Sequence, residues 1–286
     1  MAEDILHHYT TIETLNSILA NKTIRLNRLD RVDDIQEAEA FKKLSIARCY
    51  FVSSWTYSEK ESIPMWNMYT NNHGVMISLP RQMFLADIVK IPTQYAPQVQ
   101  VSGGPLRSII PFEAMFNDRY LVLPICQKQD NFCIDVQYIP DLDVEKVKNE
   151  SIIVSIDREN QAKIEIKDAP RIAAAKSDDW EFQKETRFVL LILPGIKIPP
   201  EGPFSEQFGV NLANHIATSL IMGFKPTLDY YDLHLDPTVL SKINVTLGPM
   251  CTPGEEQKVK AILSQYCPTA ILQRSQFKDR IRAGLK

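Results

Sequence analysis

Cysteine is scarce in this chain and poorly placed for cross-linking. The five present (Cys49, Cys126, Cys133, Cys251 and Cys267) are an odd number and form no C-x-x-C pair. That pattern argues against a zinc ribbon and a disulfide framework, and it reads as reduced core thiols in a cytoplasmic protein. Long apolar runs are missing as well, and no signal-type h-region follows the N-terminal Met-Ala-Glu-Asp. The expectation is a protein neither secreted nor membrane-spanning. The five histidines include the adjacent His7 and His8 but no H-x-x-x-H, which disfavours a metal-dependent hydrolase. Neither the Rossmann G-x-G-x-x-G nor a P-loop is present. Charge of one sign is also lacking. A net charge of −3 gives no general pull toward nucleic acid or membrane. The exception is the closing "QRSQFKDRIRAGLK", where five basic residues face only Asp279. It reads as a solvated basic C-terminal helix.

What is present is ordinary globular material. A chain of 286 residues, 44% hydrophobic and 23% charged, can bury a sizeable core. "ILHHYT" reads as a strand, and "TIETLNSILANK" sets Ile12, Leu15, Ile18 and Leu19 at helical spacing behind Thr10 or Thr11 as N-cap. "TIRLN" is a second strand, and an acidic loop then gives way to a helix from about Ile35 to Leu44. "ARCYFVSSW" reads as a strand with one buried face. "SIPMWNMYTNN" is a short helix opened by Pro64 and closed by Asn72 and Gly74, and "GVMISL" returns to strand. The middle is mostly strand: "YAPQVQVSG", "RYLVLPICQ", "NFCIDVQYI", "SIIVSI" and "AKIEIK". "AAAKSDDWEFQKETRFVLLIL" is a helix-like entry into a long apolar strand. "HIATSLIMGF" reads as a buried strand and "TLDYYDLHLDPTVLSKI" as helix. "NVTLGPM" (strand), "GEEQKVKAILSQYC" (amphipathic helix) and "AILQRS" (strand) follow. With no repeat and no linker, residues 1–286 read as one α+β domain of mostly antiparallel sheet with flanking helices.

Three polar-aromatic clusters stand out: "HHYT", "SSW…PMWNMY" and "DDWEFQKETR". All three tryptophans (Trp55, Trp66 and Trp180) fall within them. Strand alternation pairs His8 with Thr10 on one face and His7 with Tyr9 on the other. Trp66 and Tyr69, three apart, neighbour each other on a helix face. They form either plain core or a wall on which a flat cationic ring stacks. Read as a strand, "WEFQKETRF" puts Glu181, Gln183, Glu185 and Arg187 on one face. Glu185 and Arg187 then form a structural pair, or they place a carboxylate beside an imidazole and an aromatic wall. The second arrangement suits cleavage of a glycosidic bond through an oxocarbenium-like transition state.

Taken in order, "HHYTTIETLNSILANKTIRLN", "VDDIQE", "YFVSSW", "MWNMYTNNHGVMIS" and "KSDDWEFQKETRF" resemble the motif series of a widespread bacterial domain family. Its elements are H-Y-T, N-D-P-x-E, M-W-x-x-Y-x-x-x-x-G and W-x-x-E-x-E-x-R, and the family is distantly similar to the ADP-ribosyltransferase superfamily. The resemblance runs from about Leu6 to Phe188. It implies an ADP-ribosyltransferase-like fold and NAD as substrate, which that superfamily binds without a Rossmann fingerprint. It further implies His8, Tyr9 and Thr10 as the first-strand wall, and Trp66 and Tyr69 stacking on nicotinamide. "VSSW", which contains Ser53, resembles the Ser-Thr-Ser strand of the arginine-first subgroup and implies Ser53 as a further cofactor-binding residue. Glu185 becomes the catalytic glutamate on the ribose 2-hydroxyl, with Arg187 structural or directed at phosphate. Two positions depart from the pattern: "DDIQE" lacks the proline, and Gln183 replaces the penultimate glutamate. The implied activity is transfer of ADP-ribose to a protein or nucleic acid, as in a toxin or antiphage effector. An NAD glycohydrolase and a non-catalytic nucleotide sensor are the alternatives. In each case His8, Trp66 or Tyr69, and Glu185 should converge on one concavity.

Overall fold

The computed structural model describes residues 4–39, 45–95, 104–122, 132–156, 162–167, 169–200, 202–203 and 205–282. The first half contains β1 (Ile5–Thr10), α1 (Ile12–Asn21), β2 (Thr23–Arg28), α2 (Ile35–Glu39), β3 (Tyr50–Thr56), α3 (Ile63–Thr70), β4 (Val75–Pro80), and the small β5 (Asp87–Ile88) and β6 (Arg107–Ser108). After α4 (Phe112–Met115) come β7 (Tyr120–Val122), β8 (Cys133–Asp135), β9 (Gln137–Ile139), α5 (Asp141–Glu150), β10 (Ile152–Ile156) and β11 (Ala162–Ile166). The last part holds α6 (Ala169–Ala174), β12 (Ala175–Ser177), β13 (Glu185–Pro194), α7 (Glu206–Met222), β14 (Tyr230–His234), α8 (Pro237–Leu240), β15 (Asn244–Leu247), α9 (Pro253–Tyr266) and β16 (Ile271–Arg274).

Among the described residues, ten strands form one sheet in the order β14-β2-β3-β1-β4-β15-β16, with β13 also on β3 and with β7 and β8 on β13. All its pairs are antiparallel except β15–β16, so the chain is a single α+β fold of mixed, mostly antiparallel sheets. The sequence from both ends of the chain enters this one sheet. Helix α1 is capped by the Thr11 side chain and buries Ile12, Leu15, Ile18 and Leu19, the predicted stripe. Each such side chain is worth about 1.5–3 kcal/mol on burial. Helix α9 carries a full capping box, Thr252 with Glu255, and buries Val259 and Leu263 beside α1.

Several expectations are corrected. "HIATSLIMGF" lies in helix α7, which starts at the Ser205 cap and ends at left-handed Gly223. "DYYDLH" is not helical: it is the edge strand β14, paired with β2, and only α8 follows as helix. "DLDVEKVKNE", unassigned between strands, is helix α5. Strand β3 is buried on both faces rather than one, because two packed layers flank it. The basic tail forms turns rather than a helix over its described part. It docks through Glu61, whose carboxylate accepts from the Gln276 N–H (2.9 Å) and the Ser275 hydroxyl. The last part of the expected Ile35–Leu44 helix and the strand in "YAPQVQVSG" fall mostly outside the described residues.

Candidate functional site

The site arises from a branch in the sheet. Strand β13 covers one edge of β3 from Tyr50 to Thr56. Strands β1 and β2 must therefore share the other edge. β2 meets it at Val52 and Phe51, and β1 at Thr56. The two splay apart in between, with α1 bridging from the end of β1 to the start of β2. A cavity of about 500 Å³ opens in this gap, lined by residues of β1, α1, β2, β3, α3 and β13.

A splayed ladder leaves backbone groups that need partners. The Ser54 carbonyl finds one in His8, whose Nδ1–H donates to it at 2.8 Å. A carbonyl only accepts, so the proton sits on Nδ1 and Nε2 is left as the ring's acceptor. Burial lowers the His8 pKa, which keeps the ring neutral near pH 7. The imidazole rests on Trp55, with ring centroids 5.1 Å apart, and the Trp55 indole N–H donates to Ser53 Oγ at 3.1 Å.

The opposite wall is a buried ion cluster. Arg187 uses all five of its N–H groups. Nε donates to Glu185 Oε1 (2.6 Å), Nη1 to Glu37 Oε2 (2.5 Å) and the Ala173 carbonyl (2.7 Å), and Nη2 to Glu37 Oε1 (2.8 Å) and Glu185 Oε2 (3.2 Å). Lys176 Nζ adds contacts to Gln183 Oε1 (2.8 Å), Glu185 Oε2 (3.3 Å) and Glu37 Oε1 (3.4 Å). It also lies 4.5 Å over the Trp180 ring. Lys148 Nζ stands 3.9 Å from Glu37 Oε2. Glu37, Glu185, Lys176, Lys148 and Arg187 are all at most 3% exposed. Charges taken this far from water need partners of opposite sign, and here they have them.

These pairings fix the pH response. Burial alone would raise the Glu37 and Glu185 carboxyls, but the Arg187 and lysine charges outweigh it and hold both below the usual 4.5. Burial lowers Lys148 from 10.5 to about 8, only partly offset by Glu37. For the carboxylates and for His8, folded values lie below unfolded ones. Their stabilisation is complete above the unfolded value and is lost on acidification. For Lys148 the unfolded state binds more protons between about 8 and 10.5, so stability rises with pH across that window. Urea midpoints should thus decline as pH drops below 6.5, where His8 titrates in the unfolded chain, and fall further below 4.5. A midpoint that stays flat below pH 4.5 contradicts the cluster's contribution.

Of the residues singled out from the sequence, His8, Tyr9, Ser53, Tyr69, Glu185 and Arg187 line the cavity. Thr10 and Trp66 do not. Thr10 is buried where the α3–β4 turn approaches it, and a Cβ on Gly74 would come 2.2 Å from the Thr10 carbonyl oxygen. Trp66 is fully buried and stands edge-on to Tyr9 at 4.8 Å. Its indole N–H donates to Glu61 Oε2 at 2.9 Å, while Tyr9 OH accepts from the Ser62 N–H at 2.9 Å. Trp66 therefore anchors α3 and offers no stacking face. Arg187, with every donor committed, holds the wall together rather than facing a phosphate. Glu181 and Gln183 do not share a strand face with Glu185, because Asp178–Gln183 is a 3-10 turn and β13 begins at Glu185.

The lining also contains residues that the sequence reading passed over as site members: Trp55, Asp33, Asn27 and Lys176. Gln183 joins them, donating from Nε2 to Tyr69 OH at 2.7 Å. Glu37 sits directly behind the lining. A cue for Lys176 was available, since a lysine between "AAA" and "DDW" must either be solvated or find an anion.

No curated protein and no solved structure matches the chain. Among the described residues, no helix is long and apolar enough to cross a membrane. The stretch that runs from Met65 on α3 through Tyr69 and Lys176 to Glu185 and Phe188 on β13, residues 65–188, matches the model of a domain-of-unknown-function family, described as Protein of unknown function (DUF2971).

Proposed function

We propose that the cavity between β1 and β2 takes the nicotinamide-ribose end of NAD, and that the protein is an ADP-ribosyltransferase-like enzyme in fold and chemistry. Its reaction cleaves the nicotinamide–ribose bond and passes ADP-ribose to a protein or nucleic-acid acceptor. One observation carries the reading: His8, Ser53, Tyr69 and Glu185, drawn from β1, β3, α3 and β13, line a single cavity. Its volume, about 500 Å³, falls in the range of small-molecule sites.

In the proposed reaction the C1′–N bond breaks with its electron pair passing to the ring nitrogen, which neutralises the pyridinium. Positive charge develops at C1′, and a carboxylate held in place beforehand stabilises it more than it stabilises the ground state. What supports Glu185 in that role is that Arg187 and Lys176 fix its orientation and hold it ionised. The neutral His8 can accept a hydrogen bond from a sugar hydroxyl or an amide. Toward solvent, the half-exposed Arg25 and Arg31 also line the cavity, each already paired with a carboxylate, Asp232 and Asp229.

A second reading rests on the same contacts. Both Glu185 oxygens are already engaged by Arg187 and Lys176. That favours a module which binds the nucleotide without cleaving it. Incubation with NAD, following free nicotinamide with and without a cell lysate, separates the cases. Release that requires lysate supports transfer, and release in buffer alone supports hydrolysis. Thermal stabilisation by NAD with no release supports the binding module. Neither release nor stabilisation removes NAD from the account.

A further inference from the structure

The carboxylates of the cavity wall are not equivalent. Among the described residues three line it: Asp33, Glu185 and Asp232. Glu185 is spent on Arg187 and Lys176. Asp232 is spent on Arg25, which donates from Nε at 2.9 Å and from Nη2 at 3.1 Å. Asp33 is exposed, and among the described residues it forms no ion pair. Among the described residues, it is the carboxylate of this wall that no cation pairs with.

Its neighbours are arranged to present it. Immediately after it, the Asp34 side chain accepts from the Gln36 N–H at 3.0 Å, and Glu37 is clamped by Arg187. The backbone carrying Asp33 is thereby tied to the ion cluster. A run of donors also points toward it. Lys176 donates to Gln183 Oε1, which forces the amide nitrogen outward to donate to Tyr69 OH. With that oxygen already accepting, the phenol's own proton is free for the nearest acceptor. The neighbouring Asp33 carboxylate helps push the Tyr69 phenol well above its ordinary value, although burial is the larger cause.

We propose that Asp33 is the catalytic base of this site. It takes the proton from the attacking acceptor hydroxyl, or from water, as the oxygen–C1′ bond forms and the C1′–N electron pair leaves with nicotinamide. Protons and electrons balance without any oxidant or reductant. Tyr69 and Gln183 are positioning residues that orient Asp33 through the relay from Lys176. The assignment rests on the NAD reading of the cavity and differs from the role of Glu185, which is to hold charge rather than to move a proton.

The test compares wild type, Asp33→Asn and Tyr69→Phe for nicotinamide release at fixed pH, NAD affinity by calorimetry, and melting temperature. Asp33→Asn should lower turnover by about a hundred-fold and leave NAD affinity within a few-fold. Because Asp33 is exposed, its melting temperature should not move. Tyr69→Phe removes the relay while keeping the Asp33 side chain and should cost roughly ten-fold in turnover, with NAD affinity again within a few-fold. That variant keeps the proposal testable if Asp33→Asn fails to fold. Release by wild type that persists in Asp33→Asn overturns the role of Asp33 and spares the NAD reading. A wild type that neither binds nor cleaves NAD overturns both.

Discussion

Replacing Arg187 with Met should destabilise the protein by about 3–5 kcal/mol, the usual consequence of removing one partner from a buried ion pair. The guanidinium is 1% exposed and holds two carboxylates together, Glu37 and Glu185, themselves buried. Without it Lys176 and Lys148 remain as counter-charges, but neither can donate in the forked geometry that Arg187 uses toward both carboxylates. The Ala173 carbonyl would also lose its donor. Arg187→Lys should recover only part of the loss, because one ammonium cannot replace five directed N–H groups. For a domain near this size each kcal/mol moves the melting temperature by roughly 2–4 °C, so a fall of roughly 6–20 °C is expected. A fall of less than about 2 °C would mean that the cluster adds little beyond an apolar replacement, as some buried ion pairs do.

The same cluster shows what a sequence exposes and what it hides. Helix α1, β1, β2, β4, β15, α9 and β16 were legible because each carries its own pattern: an apolar stripe with a cap, or a short β-branched run between turn residues. Helix α7 was hidden because its start signal at Ser205 lies far upstream of the apolar "IATSLIM", which by itself looks like a strand between punctuators. Helix α5 has only Val144 and Lys148 buried, so no apolar stripe marked it. Its buried lysine is intelligible only once Glu37 is in place beneath it. Strand β14 buries Leu233 alone and is placed by pairing with β2, including the Arg25–Asp232 cross-strand contact.

In the site, spacing put Trp66 and Tyr69 side by side correctly, yet spacing does not say which of the two turns inward. The answer came from Glu61 and Tyr9, which capture the Trp66 ring. Likewise, "DDIQE" drew attention as a motif element lacking its proline, and nothing in its local pattern separates the roles of Asp33 and Glu37. That division follows from the tertiary position of Arg187, which is 150 residues away from Glu37 along the chain.

Glu185→Gln should lower nicotinamide release by roughly a hundred- to a thousand-fold, if the carboxylate stabilises the charge developing on ribose. NAD affinity should change much less, because the contact matters most in the transition state. The ion cluster adds a second expected effect. Glutamine keeps one acceptor oxygen but turns an amide N–H₂ toward Arg187 or Lys176, the cations that now meet the two Glu185 oxygens at 2.6–3.3 Å. Cation against donor is unfavourable in a site this dry, so the melting temperature should fall too, though by less than in Arg187→Met, since Glu37 still accepts from the guanidinium. The two effects are separable because unfolding removes active molecules while leaving the turnover of the folded ones intact. Release is therefore measured well below both melting temperatures and scaled to the folded fraction. A scaled rate that equals wild type would remove Glu185 from the mechanism and leave it as a structural member of the cluster. A scaled rate reduced a hundred-fold or more, with calorimetric NAD binding retained, identifies the carboxylate as the group that meets the developing charge.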